Sequence, residues 1–158
     1  MCVYYDDLDG DRWIIVLIFV DDLLVIGSST RSDEFISSIT KKLCISSNSE
    51  LKRYIGVDVD THPEGGFFLS QTSDILKCVA KHGLSDAKPV VTPGDPDFHF
   101  EDGIVSEGIN ITDYRSAIGE LLYFAICTRP DIMAAVIISA HFQRAPSAKA
   151  WAAVKQII

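Results

Sequence analysis

The sequence contains no apolar run longer than eight residues, and that run, Trp13 to Val20, ends at two aspartates. A helix needs about 20 apolar residues to cross a bilayer, so a membrane-spanning segment is excluded. The first twelve residues are acidic where a secretory signal would be basic and then apolar. We therefore expect an intracellular protein without a membrane segment, rather than a secreted one.

Closely spaced cysteines are also lacking. The four cysteines, Cys2, Cys44, Cys78 and Cys127, are scattered along the chain. Neither the ligand spacing of a zinc motif nor a small disulfide scaffold is therefore indicated. We expect reduced and mostly buried thiols.

Basic residues are few, since 14 Lys and Arg stand against 22 Asp and Glu, for a net charge of −8. Phosphate binding depends on Lys and Arg, so this balance argues against a strong nucleic-acid partner. Nine of the acids, however, lie in two short segments without a Lys or Arg, residues 6–11 and 95–107. The rest of the chain is close to neutral, which permits a nucleic-acid partner without predicting one.

The pattern of apolar residues predicts a β-hairpin near the N-terminus. The runs from Trp13 to Val20 and from Leu23 to Gly27 are separated only by Asp21 and Asp22. Their aromatic and β-branched content favours strands. We therefore expect the two carboxylates at the tip of a hairpin.

Further β and helical segments follow this hairpin. The pattern Thr30-x-x-Asp33 could form the N-terminal capping box of a helix. The segments YIGVDVD and FFLS, separated by a turn, predict a second hairpin, and residues 73–82 predict a helix that stops at Gly83. The side chains of this helix expected to face the core are Ile75, Leu76, Val79 and Ala80.

The C-terminal part is predicted to be all helical. Residues 84–111 hold three of the six prolines and little periodicity, which indicates a linker. After it, Thr112 can cap one helix, a second begins at Pro130, and a third follows Ser147. The expected fold class is α+β, with antiparallel hairpins and helices over residues 1–83 and a helical region over 112–158.

The carboxylate pair needs an explanation, because charges beside apolar strands persist only when they are paired or bound to metal. Mg²⁺ prefers one or two carboxylates together with phosphate oxygens, and two-metal phosphoryl transfer uses such carboxylates on a rigid element. The alternative is an ordinary β-turn, in which Asp is favoured for its local hydrogen bonds. The local pattern alone leaves both interpretations open.

Six segments follow one another along the chain as a series of motifs. They are CVYY, FVDD followed by LLVIGSS, ELKRYIGVDVD, FFLSQ, VVTP and YRSAIGELLYFAICTRPDIMAAV. Taken in this order, they resemble the reverse transcriptase of copia-type LTR retrotransposon Pol polyproteins, and FVDD is similar to the aspartate motif of that family. The last segment is the most specific.

The resemblance implies an RNA-directed DNA polymerase that uses Mg²⁺ for nucleotidyl transfer. By it, Asp21 and Asp22 would be catalytic metal ligands, and the partners would be an RNA or DNA template-primer and deoxynucleotide triphosphates. It would place the protein in a cytoplasmic particle or the nucleus. The residues implied to position the primer are Phe19, Val20, Tyr54, Ile55, Gly56 and Gln71.

By the same resemblance the chain corresponds to the C-terminal half of the polymerase palm, the start of the thumb and the connection region. The rest of the palm, the fingers and the ribonuclease H domain are expected outside it. We therefore expect an incomplete palm that is inactive alone. Two alternatives are a decayed, non-catalytic remnant acting as a binding module and an unrelated Mg²⁺-binding phosphotransfer domain, which would have a parallel sheet.

Five other residues allow two interpretations. Lys77 and Lys81 could contact backbone phosphates, although a solvated helix face is more common. Arg129 could bind nucleic acid, but an ion pair at a helix start is the expected role. Tyr114 and Tyr123 could stack on bases, yet their helical spacing favours the core.

Overall fold

The first sheet is antiparallel and contains the predicted hairpin. A computed structural model describes residues 1–6, 10–48, 50–94 and 109–158. Strands β1 (Cys2–Asp6), β2 (Ile14–Phe19) and β3 (Asp22–Gly27) pair in the order β1-β2-β3. Helix α1 (Ser29–Thr40) follows directly after β3.

The second sheet contains β4 (Arg53–Tyr54), β5 (Val57–Thr61) and β6 (Phe67–Ser70) in that order. The prediction that YIGVDVD forms one unbroken strand is wrong. Ile55 and Gly56 have φ angles of 45° and 72°, and they form a two-residue turn between β4 and β5. Such primed turns match the twist of the strands that they join, which is why this short segment doubles back.

The described part of the C-terminal region is helical, as predicted. After α2 (Thr72–Lys81) come α3 (Ile111–Cys127), a 3₁₀ turn (Pro130–Ile132), α4 (Met133–Ala140) and α5 (Ala148–Ile157). Gly83 follows α2 with φ 68°, a conformation that glycine adopts without steric cost. No helix in the described ranges is both long and apolar enough to cross a membrane.

Packing divides the chain into two compact units, Met1–Phe67 and Phe68–Ile158. The predicted boundaries at residues 83 and 111 concern polymerase domains, and they stay a prediction. Residues 7–9 of the first acidic segment and residues 95–108, with the second acidic segment and part of the predicted linker, lie outside the described residues.

The two units have separate cores. In the first unit, Ile14 and Val16 of β2 and Val59 of β5 are buried. The alternation of Ile14 and Val16 follows from the two-residue period of a strand. The second unit has a larger helical core: its buried members include Cys78, Tyr114, Ala117, Ile118, Leu121, Phe124, Ala125, Ile132, Val136, Ala150, Val154 and Ile157.

The two predicted N-caps, Thr30 and Thr112, are wrong. Helix α1 begins at Ser29, so Thr30 lies inside its first turn, and the N-cap residue Ser28 makes no side-chain capping bond. Asn110 caps α3, accepting a 2.9 Å hydrogen bond from the backbone N–H of Thr112. Asn is the stronger N-cap residue, so the helix starts one residue before Thr112.

The expectation of mostly buried thiols is also wrong. All four cysteines are free, but Cys2, Cys44 and Cys127 are exposed and only Cys78 is buried. Because β1 is exposed along its whole length, Cys2 has no core to enter. Cys127 ends α3 on a face turned to solvent.

Candidate metal-binding hairpin

The tip of the β2–β3 hairpin presents the two predicted metal ligands to solvent. Phe19 pairs with Asp22, which leaves Val20 and Asp21 as the two-residue loop. Both aspartates are exposed. The structure therefore brings Asp21 and Asp22 together at the tip of a hairpin whose β2 strand is anchored in the core.

Val20 holds the tip in an unusual backbone conformation. Its φ is 52°, and its side chain is 82% exposed. A β-branched residue at positive φ is a steric outlier, and such strain commonly costs about 1–3 kcal/mol. Because the Val20 side chain is not buried, packing does not account for a valine at this position. Strain of this kind clusters at functional sites.

Tyr54 lies close enough to Asp22 for the two side chains to interact electrostatically. Burial first, and then the negative charge of Asp22, raise the pKa of the Tyr54 hydroxyl. That hydroxyl is buried and has no hydrogen-bond partner among the residues described. Tyr54 is thus next to the carboxylate pair, and the neighbouring residues Ile55 and Gly56 form the turn after β4.

Gln71 lies in the second unit, where its side chain is almost fully buried at 1% exposure. Its side-chain oxygen accepts a 2.8 Å hydrogen bond from the Thr128 hydroxyl. Because the Gln71 side chain is buried, its amide cannot contact a primer strand at the protein surface. Its implied role in primer positioning stays a prediction.

The carboxylate pair has the chemistry that Mg²⁺ requires, although it supplies only part of a coordination sphere. Mg²⁺ takes hard oxygen ligands and retains several waters, so one or two protein carboxylates are enough when phosphates complete the shell. Within the described ranges, neither aspartate belongs to a group of three or more potential ligands. Asp21 and Asp22 alone would therefore supply only two of the ligands of such an ion.

The other ambiguous residues have mainly structural roles. Arg129 makes a two-pronged ion pair with Asp131, with distances of 2.7 and 2.9 Å. The ammonium group of Lys77 donates a 2.9 Å hydrogen bond to the carboxylate of Asp74 on the same helix. Lys81 pairs with Glu120 of α3. These contacts favour the expected ion-pair role of Arg129 and occupy both lysines.

The two tyrosines of α3 have different environments. Tyr114 is completely buried, and its hydroxyl donates a 2.8 Å hydrogen bond to the carbonyl of Ser139. The expectation that it belongs to the core is confirmed. Tyr123 is 36% exposed, so the same expectation is wrong for it. Its position follows from the helix period, because its neighbours Phe124 and Ala125 face the core instead.

A second group of potential ligands was not predicted. Cys78, His82 and Glu120 lie together in the second unit, the only such group of three found in the described chain. The sequence contains a partial signal, since Cys78 and His82 are four residues apart and therefore share a helix face. Glu120 comes from another helix, and no local pattern could have identified it.

The chain is similar to transposon-encoded proteins over nearly its whole length. It is 29% identical over 165 residues to the retrovirus-related Pol polyprotein from transposon TNT 1-94 of Nicotiana tabacum, covering 99% of this chain and 12% of the relative. It is 31% identical over 153 residues to the protein of the same description from transposon RE1 of Arabidopsis thaliana, covering 94% and 10%. The corresponding protein from transposon RE2 of Arabidopsis thaliana is 28% identical over 152 residues, covering 94% and 10%.

The chain thus spans about a tenth of the length of these relatives. No protein-family model matches the chain, and no solved structure matches it significantly. The similarity therefore concerns one short region that these long polyproteins share with this chain.

Proposed function

The chain belongs to the retrovirus-related Pol polyproteins of transposons, and we propose that it carries the metal-binding hairpin of a copia-type reverse transcriptase. The observation that carries this proposal is the tip of the β2–β3 hairpin, where Asp21 and Asp22 are exposed beside the strained Val20. An ordinary solvent-exposed turn with two aspartates would not require a valine in an unfavourable backbone conformation. A rigid tip that must present two carboxylates to a metal and a substrate gives a reason for it.

In this proposal Asp21 and Asp22 hold Mg²⁺ in the complete polymerase. The ion, when bound, neutralises developing negative charge during nucleotidyl transfer. The residues of the chain hold the carboxylates in position: β2 and β3 carry the tip, and the exposed Phe19 ends β2 directly before the loop. The RNA or DNA template-primer and the deoxynucleotide triphosphates would bind next to the hairpin tip.

The β4–β5 turn would position the primer strand. Tyr54 is beside Asp22. Ile55 and Gly56, which follow Tyr54, form the tight backbone turn between β4 and β5. Gln71 would act indirectly, by holding Thr128 in the second unit. We place this activity in a cytoplasmic particle or the nucleus.

Metal binding at the tip can be measured directly on the purified chain. Mn²⁺ replaces Mg²⁺ at oxygen sites and broadens the NMR signals of nearby nuclei. We expect the backbone signals of residues 19–23 to broaden first, and the Asp21→Asn variant to need at least fivefold more Mn²⁺ for the same effect. The control is Asp60→Asn, an exposed aspartate in β5. Equal broadening in both variants would contradict the proposal.

Catalysis needs the rest of a polymerase, so its test uses a chimera. Residues 1–158 replace the corresponding region of the RE1 polyprotein of Arabidopsis thaliana, which the chain matches over most of its length. We expect Mg²⁺-dependent nucleotide incorporation on a primed template. It should fall at least 100-fold in Asp21→Asn and stay nearly unchanged in Asp60→Asn. Nucleotide incorporation that persists in the Asp21→Asn variant would contradict the catalytic role of Asp21.

A non-catalytic binding module is the second candidate function, and the exposed edge strand β1 favours it. Val3, Tyr4 and Tyr5 of this strand are all more than half exposed. An open edge can pair with a strand from a partner protein. The chimera separates the two functions, because a binding module would give a folded but inactive polymerase even with both aspartates present.

A further inference from the structure

Three side chains of the kinds that bind metals lie close together on and beside α2 and α3, far in sequence from the aspartate pair. Cys78 lies in α2 and His82 directly follows that helix, while Glu120 lies in α3. One ligand atom from each lies within 4.8 Å of the other two. All three residues belong to the second compact unit.

His82 is the most informative member of this group. Its side chain is only 6% exposed, yet its Nε2 atom has no hydrogen-bond partner among the residues described. Buried polar atoms are normally hydrogen-bonded, so this atom needs an explanation. It lies 3.9 Å from Oε2 of Glu120, and the Trp151 ring packs edge-on against the imidazole at 5.8 Å between centroids. The nitrogen is therefore held facing the other two ligands.

We propose that Cys78 Sγ, His82 Nε2 and a Glu120 carboxylate oxygen bind one Zn²⁺ ion, with water as the fourth ligand. Thiolate, imidazole and carboxylate are the groups that Zn²⁺ takes in proteins. Ligands about 2.1 Å from a tetrahedral ion are roughly 3.4 Å apart, so the group has to contract by only a fraction of its present spacing. The bound ion would link α2 to α3.

The surroundings of Glu120 orient it for this role. Its Oε1 atom accepts hydrogen bonds from the ammonium of Lys81 and, at 3.2 Å, from the hydroxyl of Ser116. Outer contacts of this kind fix the direction of a ligating carboxylate. Oε2 is left on the side of His82.

Zinc binding at this site requires one proton to leave. Cys78 is 4% exposed, and its thiol is hydrogen-bonded to the Glu120 carboxylate. The thiolate is the ligand, so the S–H bond breaks, a sulfur–zinc bond forms and the proton passes to water. No electron is transferred and no further reactant is needed.

Co²⁺ is the probe of choice, because it occupies zinc sites and gives an absorption band when a thiolate binds it. The purified chain, stripped of metal with a chelator, is titrated with Co²⁺ and then with Zn²⁺. We expect one Co²⁺ per chain, a thiolate-to-cobalt band, and loss of that band as Zn²⁺ displaces Co²⁺. A chain that takes up no Co²⁺ in the micromolar range, or binds it without a thiolate band, would overturn the proposal.

Four variants locate the site. Cys78→Ser should abolish the thiolate band, and His82→Gln should weaken Zn²⁺ binding at least tenfold. The controls, Cys127→Ser and His141→Gln, change an exposed cysteine and an exposed histidine outside the group and should bind as the unchanged chain does. A band that survives Cys78→Ser and disappears in Cys127→Ser would refute the site. If Cys78→Ser does not fold, the spectrum of the unchanged chain and His82→Gln still decide.

Discussion

Thr128 donates a 2.8 Å hydrogen bond from its hydroxyl to the buried side-chain oxygen of Gln71, joining residues 57 positions apart. This bond ties the segment before α2 to the C-terminal end of α3. Thr128→Val keeps the shape of the side chain but removes the donor. We expect the free energy of unfolding to fall by about 1–2 kcal/mol, because a buried acceptor then loses its partner. Urea denaturation followed by circular dichroism measures it.

Two further variants test the cause of that loss. Thr112→Val makes the same change at an exposed position in the first turn of α3 and should alter stability by less than about 0.5 kcal/mol. Combining Thr128→Val with Gln71→Met removes both polar partners, so much of the lost stability should return. An additive double variant would show that the hydrogen bond is not responsible.

Tyr114 offers a second test of the helical core. Its hydroxyl bonds the carbonyl of Ser139, and burial raises the pKa of Tyr114 to about 12. Tyr114→Phe leaves that carbonyl without this partner while the ring still packs, so we expect a loss of about 1–2 kcal/mol in unfolding free energy. Tyr5→Phe, on the exposed strand β1, is the matched control. Equal effects of the two variants would contradict the assigned role of the hydroxyl.

Local sequence patterns predicted the order and type of the elements better than their ends. The β2–β3 hairpin, α2 and the C-terminal helices follow from apolar periodicity and turn residues, which act over a few positions. The caps at Thr30 and Thr112 failed because a neighbouring residue, Ser28 or Asn110, starts the helix instead. The turn at Ile55 was missed because β-branched residues favour strands.

Such local patterns could not predict contacts between residues that are far apart in sequence. The predicted core face of α2 included Leu76 and Ala80, which are both exposed, whereas Cys78 is the buried residue of that helix. Its burial depends on where α3 packs. The convergence of Cys78 and His82 on Glu120 arises from the same packing. The position of Asp21 and Asp22 at a hairpin tip could be predicted because the two residues are adjacent in sequence.

The strain at Val20 predicts a stabilising substitution. Glycine adopts positive φ freely, so Val20→Gly relieves a cost of about 1–3 kcal/mol and loses about 1 kcal/mol through added flexibility of the unfolded chain. We expect a net gain on the order of 1 kcal/mol in the free energy of unfolding. Val3→Gly, in β1, should instead destabilise. A destabilised Val20→Gly chain would mean that the valine side chain makes a stabilising contact.

Thiol labelling tests the burial of Cys78. In the metal-free chain, burial first, and then its hydrogen bond to Glu120, raise the pKa of Cys78 to about 12, so the thiol stays protonated and unreactive near neutral pH. We expect iodoacetamide to modify the exposed thiols of Cys2, Cys44 and Cys127 first. Cys78 should react at least 100-fold more slowly until urea unfolds the chain. Peptide mass spectrometry gives the four rates, and fast labelling of Cys78 would contradict its packing.

The outer edge of β1 predicts self-association of the isolated chain. Among the described strands none pairs with this edge, and Val3, Tyr4 and Tyr5 are exposed along it. Open apolar edges pair with other strands, and a lysine on the edge opposes that pairing. Sedimentation velocity should show oligomers that increase with concentration, and Val3→Lys should shift the distribution toward monomer. Ser37→Lys, on the exposed side of α1, adds the same charge elsewhere and should have little effect. A chain that remains monomeric at high concentration would show that this edge is protected in solution.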